Sequence, residues 1–225
     1  MTDFSSQDWH IVLLTLRVAA IAVGGALPLA LLFGWMLTKD FPGRFLINAL
    51  VHLPLALPPV VTGWLLLILF GAQGPVGSWL LKNFGIRLAF TTQGAALACG
   101  VMILPLMVRA IRLGIEAIDP GLLQAACTLG AAPMDRFVTV TLPLAGPGLL
   151  MAVAMGFTAS LGEFGAVITF AANIPGQTQT LPLAIYSALQ TVGGESVAAR
   201  LSLLSIALAL IGLFLTERLN QRIRR

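Results

Sequence analysis

The chain has 225 residues, of which 58% are hydrophobic and 10% charged, with a formal net charge of +4. Soluble domains carry about 25% charged residues, so thirteen Lys/Arg and nine Asp/Glu cannot coat a water-soluble globule of 23.7 kDa. With a mean hydropathy of +0.94, the composition excludes soluble enzymes, nucleic-acid binders and disordered scaffolds, and it predicts an integral membrane protein.

The N-terminal TDFSSQDW carries Asp3 and Asp8 rather than a basic region, and no small-residue cleavage site follows. The first apolar run is therefore expected to be retained as a span. A membrane helix needs about 20 mostly apolar residues, and five stretches qualify. They are 18–36, whose helix begins nearer Ile11, then 53–70, 88–108, 144–161 and 197–216. Asn48 and His52 extend the second stretch back to about Leu46. An all-α fold of about five transmembrane helices in a single domain follows, because lipid cannot satisfy an open backbone.

Basic residues orient it. One side collects Lys39, Arg44, Arg109, Arg112, Arg136, Arg218, Arg222, Arg224 and Arg225; the other has Arg17, Lys82, Arg87 and Arg200. The excess belongs in the cytoplasm, which predicts the N-terminus outside and the C-terminus inside. Arg17 and Arg200, near the outer ends of their helices, read as snorkelling side chains or as attractors of anions at an outer mouth. The high pI, near 9.8, is thus an orientation signal.

Prolines mark irregular backbone. Pro54, Pro58 and Pro59 enter span two, and Pro28 and Pro105 interrupt spans one and three. Small residues at four-residue spacing (Gly94 and Ala98; Ala152, Gly156 and Ser160) suit close helix packing. Glu163 falls roughly 28 Å beyond Leu144 on a helical rise, which predicts a place near the outer interface. The segment from 163 to about 196 reads as a re-entrant or outer-surface piece, a turn at 173–176, and a short interfacial helix over 181–191 ended by Gly193–Gly194.

The longest polar connection, about 114–143, is the cytoplasmic loop between spans three and four. Asp119 can cap a helix that Pro120 opens, and Gly130 can close it. Pro133 opens a second short helix with Met134, Phe137 and Val138 on one side, which Pro143 is expected to end. Ala125 and Ala126 offer a small-residue surface for another backbone. A hairpin that merely joins two spans would look the same.

The residues of this loop also carry a family resemblance. Gln124-Ala125-Ala126, Gly130, Val140 and Leu142-Pro143 match the spacing of the loop motif in permease subunits of bacterial ABC importers. Gln replaces the family's first Glu, which removes a charge, and Val replaces Ile. The stretches 53–77 and 160–195 are similar to molybdate-transporter permeases, so the resemblance runs from about residue 10 to the end.

The resemblance implies a homodimer in the bacterial inner membrane, two ATP-binding cassette subunits below it, and a periplasmic oxyanion-binding protein above. ATP and Mg would be held by the partner subunits, and this chain would hold no cofactor or metal. The contacts to the ATPase would come from Gln124, Ala125, Ala126, Gly130, Ala131, Pro133, Arg136 and Phe137. Alternating access would carry molybdate; related permeases carry tungstate or sulfate. From the residues alone, Thr62, Thr92, Thr158 and Ser160 are candidate pathway-lining positions.

Independently, the chain lacks a P-loop, since its only lysines, Lys39 and Lys82, follow Thr38 and Leu81. It has neither HExxH nor GxSxG, so the enzyme reading has no motif to stand on. A passive channel or membrane scaffold is the remaining alternative, and it would not need the cytoplasmic helix pair.

Overall fold

The computed structural model describes residues 6–223, apart from the side chains at 215, 219, 220, 222 and 223. Asp3, Arg224, Arg225 and the side chain of Arg222, which enter the charge count, lie outside the described residues. Among the described residues every regular element is helical.

Three helices are long and apolar enough to cross a bilayer alone: α1 (Ser6–Met36), α5 (Thr92–Glu116) and α12 (Glu195–Ile223). Two bent helix pairs pass the same test of length and apolarity when each pair is taken together, which makes up to five spans. The first joins α2 (Arg44–Ala56) to α3 (Pro59–Phe70) through a 114° turn. The second joins the run Pro133–Leu144 to α9 (Gly146–Leu161) through 64°. That run consists of α7 (Pro133–Arg136), a π-helical turn (Phe137–Thr141) and α8 (Leu142–Leu144). The remaining helices are α4 (Pro75–Phe84), α6 (Pro120–Thr128), α10 (Gly165–Ala171) and α11 (Leu181–Leu189).

The second span is thus a bent pair rather than one straight helix over 53–70. Pro58 forces Leu57 into an extended conformation, with φ −86° and ψ 148°, and Pro59 then starts a new helix. Pro28 and Pro105, expected to interrupt their spans, lie inside continuous helices. Each removes a single backbone bond, which the packed bundle tolerates. Two consecutive prolines break a helix where one does not.

Small residues set the bundle. A Cβ on Gly34 would stand 2.8 Å from Ile111 Cγ2, and one on Gly100 would stand 3.5 Å from the Ala22 carbonyl, so α1 and α5 run parallel. Gly114 and Gly148 approach with a built Cβ only 2.7 Å from the opposing Cα, and Gly156 lies against Met107; α9 is therefore antiparallel to α5. Without a hydrophobic drive between helices in lipid, such close backbone packing is what holds them. The core runs through Ala22, Ala30, Ala95, Cys99, Met107, Ile111, Ala152 and Phe170. These directions bring the α1–α2 turn and the residue 117–145 connection to one end. The start of α1, the C-terminal end of α10, and α11 lie at the other.

Candidate functional site: a docking loop and paired helix breaks

The connection after α5 folds as its local chemistry predicts. Asp119 Oδ1 accepts the Gly121 N–H at 2.8 Å, capping α6, and Pro120 opens the helix. Gly130 closes it in the left-handed region at φ 85°, while the Ala131 N–H reaches back to the Ala126 carbonyl. Pro133 then opens α7. Pro143 does not end this second helix. The chain continues through a π-helical turn in which the Leu142 N–H donates to the Phe137 carbonyl, and it bends only at Ala145. The wider turn carries the helix past a residue that has no N–H to give.

No residue of α6 or α7 is buried. Gln124 and Ala125 are exposed, Ala126 and Ala131 are half-buried, and Pro133 is exposed. Leu129 and Met134 are 87% and 68% exposed, beside exposed Leu122 and Val138. This is an apolar, small-residue surface at the end of the bundle, of the kind that marks a partner interface. Arg136 Nε is enclosed and has no hydrogen-bond partner among the described residues. Phe137 turns inward onto Trp35 of α1, with ring centroids 5.0 Å apart. At the same end a groove of about 650 Å³ opens between α5 and α9, with Arg109 among walls that include Leu106, Leu113, Met151 and Met155.

Toward the other end, two short helices begin side by side. A Cβ on Gly165, at the start of α10, would stand 2.7 Å from Pro59 Cβ at the start of α3. Gly63 lies against Ala166 and Thr169, so the two helices run side by side. Their N-terminal ends, which carry partial positive charge, therefore stand together. Glu163 sits at the α9–α10 break, where its Oε1 accepts the Ala166 N–H at 3.0 Å. From it α10 runs on to Phe170, which meets Phe90 and Gly94 at the start of α5. Within this segment, read from the sequence as a re-entrant or outer-surface piece, Ala166, Val167, Phe170 and Ala171 are fully buried against the bundle. The helix over 181–191 is α11, ending at Leu189.

The four hydroxyl candidates separate. Thr62, in the first turn of α3, is buried, and its Oγ1 has no partner among the described residues. Ser160 is buried in the last turn of α9 beside Cys99. Thr92 donates to the Gln177 carbonyl at 2.7 Å, tying α5 to the loop before α11. Thr158 donates to the Ala154 carbonyl at 2.9 Å and lies against Gly212 of α12. Arg17 is exposed, whereas Arg200 is committed: its Nε lies 2.8 Å from Asp8 Oδ2, with both side chains largely buried. The meeting of Pro59 with Gly165, and of Asp8 with Arg200, joins residues far apart in the chain. The proline pair Pro58–Pro59 was the sequence signal for the first.

The chain is a multi-pass helical bundle with two broken helix pairs and an exposed apolar loop at one end. Residues 16–225 match the family described as binding-protein-dependent transport system inner membrane component, and the chain belongs to that family. It is 52% identical to the molybdenum transport system permease protein ModB of Escherichia coli (strain K12), over 95% of this chain and 93% of that one. The ModB of Haemophilus influenzae is 50% identical over 94% of this chain and 93% of its own length. The sulfate transport system permease protein CysT of Escherichia coli is 39% identical, over 96% of this chain and 77% of its own.

Among solved structures, the bacterial alginate ABC transporter superposes with a TM-score of 0.76, at 17% identity, over 97% of this chain and 80% of that one. The MetNI methionine ABC transporter gives 0.74, at 19% identity, over 99% and 100%. These two show the fold alone. The chain is an inner-membrane permease subunit of the ABC-importer type.

Proposed function

We propose that this chain is the membrane-spanning subunit of an ATP-driven importer of molybdate. The observation that carries this reading is the 52% identity to a molybdenum permease along almost the whole of both chains. The 39% identity to a sulfate permease supports a second, weaker reading, import of sulfate.

In this reading two copies of the chain form the pathway, two ATP-binding cassette subunits dock on α6 and α7, and a periplasmic binding protein delivers the oxyanion. ATP and Mg bind the cassette subunits, consistent with the missing P-loop. Lys39, Arg44, Arg109, Arg112 and Arg136 share the end that carries the loop, which supports a cytoplasmic loop and C-terminus and an external N-terminus. Gln124, Ala125, Ala126, Gly130, Ala131 and Pro133 present the contact surface, Arg136 stands half-buried beside it, and Phe137 passes the push inward. Closure of the ATPases rocks α5 and α9 together through their Gly114–Gly148 contact, opening the pathway outward. Thr62 and Ser160, beside the paired helix breaks, are the hydroxyls best placed to line it. Thr92 and Thr158 serve packing.

The test is reconstitution with the partner ATPase and binding protein, followed by uptake of labelled molybdate, tungstate and sulfate. ATP-dependent molybdate uptake in preference to sulfate is expected. Calorimetry on the binding protein then identifies the oxyanion it retains, and retention of sulfate alone overturns the molybdate reading. A reporter fused to the C-terminus tests orientation.

A further inference from the structure

Helix α4 (Pro75–Phe84) is left over by everything above. It packs chiefly on α3, at the end of the bundle where α1 starts. A Cβ on Gly77 would stand 2.0 Å from the Gly71 carbonyl oxygen, so α4 is pressed against the very end of α3. Thr91, capping α5, follows soon after. These two junctions hold α4 at the depth where the apolar spans stop. With 10 residues, about 15 Å of helix, it cannot cross a bilayer.

Its free side has a distinctive chemistry. Trp79 and Phe84 are 55% and 62% exposed, and their rings meet at 5.4 Å. Ile86 is also exposed. Lys82, in the last turn of α4, and Arg87 just beyond it are exposed, and neither forms an ion pair among the described residues. From residue 71 to 91 there is no acidic residue at all. Aromatic rings with adjoining lysine or arginine, on a short helix at the end of the spans, suit the layer where acyl chains give way to phosphates. Positive charge without a negative neighbour complements the phosphate layer.

We infer that α4 is bedded in the lipid headgroup layer, with Trp79 and Phe84 at the acyl boundary and Lys82 and Arg87 on lipid phosphates. The helix then acts as a float that fixes the height of the α3–α5 connection, and so of the half-helix α3, in the bilayer. This rests on the chain spanning the membrane and not on what it carries.

The test uses the full chain with its ATPase partner in nanodiscs of phosphatidylcholine and phosphatidylglycerol. Emission of the wild type minus that of Trp79→Phe isolates Trp79. Lipids brominated near the top of the acyl chain are expected to quench this difference signal, and aqueous iodide is expected to leave it largely unchanged. In the Lys82→Glu/Arg87→Glu variant the bromolipid quenching of Trp79 is expected to fall. Quenching of Trp79 by iodide and not by bromolipid overturns the inference. So does shielding of Trp79 from iodide only when the periplasmic binding protein is added, which makes α4 a protein dock. Trp64, exposed on α3, is the control: loss of all bromolipid quenching, Trp64 included, overturns the bilayer placement itself.

Discussion

Trp35, in the last turn of α1, lies 5.0 Å from Phe137, the first residue of the π-helical turn that follows the docking loop. Lys39 Nζ stands 3.4 Å from the centre of the same indole ring. One residue earlier, Gly34 is pressed onto Ile111 of α5. The loop is therefore coupled to α1 by a ring contact as well as to α5 and α9 by the chain itself.

An aromatic pair and a cation over an indole are each worth about 0.5–1.5 kcal/mol. Trp35→Ala should remove both. We expect the complex to assemble and hydrolyse ATP while uptake falls by about tenfold, the equivalent of about 1.4 kcal/mol of lost coupling. Trp35→Phe should recover most of the transport. Equal loss of hydrolysis and uptake would show the contact to be merely structural.

Gly130 tests the dock. At φ 85° any side chain there is strained by about 1–2 kcal/mol, yet nothing stands within 4 Å of its added Cβ. Gly130→Ala should insert and assemble with reduced transport. Gly130→Asp adds a charge to the docking surface and should abolish both ATPase co-purification and uptake without affecting insertion. Uptake by Gly130→Asp at the wild-type level would remove the loop from the mechanism.

The Gly114–Gly148 approach leaves no room for a side chain. Gly114→Val should overpack α5 against α9 and lower stability by about 3 kcal/mol or more, read as a fall in the thermal midpoint in detergent. Gly24, with nothing within 4 Å of its Cβ, is the matched control, and Gly24→Ala should leave that midpoint unchanged or raise it.

Asp8 and Arg200 clasp α1 to α12, with the Asp8 side chain 5% and the Arg200 side chain 17% exposed. Asp8→Ala strands the guanidinium and should destabilise by about 3–5 kcal/mol. The double change Asp8→Ala with Arg200→Leu should be milder than the sum of the two single changes. A double-mutant cycle of thermal midpoints measures the difference, and strict additivity would show the pair to be idle.

The loop after α5 was legible because its rules are local. Asp119, Pro120, Gly130 and Pro133 act within a few residues of themselves, and each took the place its chemistry required. Pro143 does not end its helix because a π-helical turn, with the Leu142 N–H bonded to the Phe137 carbonyl, carries the chain past it to Ala145. Glu163 lies just beyond α9, which stops at Leu161, and its carboxylate caps the start of α10, a contact that helical spacing alone does not show. Thr62 and Thr158 looked alike in the sequence; one hydroxyl is buried without a partner and the other lies against Gly212.

By itself the sequence determined that this chain lives in a membrane, roughly where it crosses, and that one polar connection folds as two short helices with a sharp turn between them. Those follow from transfer of apolar residues out of water and from short-range backbone rules, which each residue obeys wherever the fold puts it. Only the tertiary structure decided that α3 and α10 begin side by side at Pro59 and Gly165, that Asp8 neutralises a guanidinium 192 positions away, and that Trp35 receives Phe137. Helix pairing in lipid is chosen by close packing of small residues, and that choice is invisible until the partners face each other.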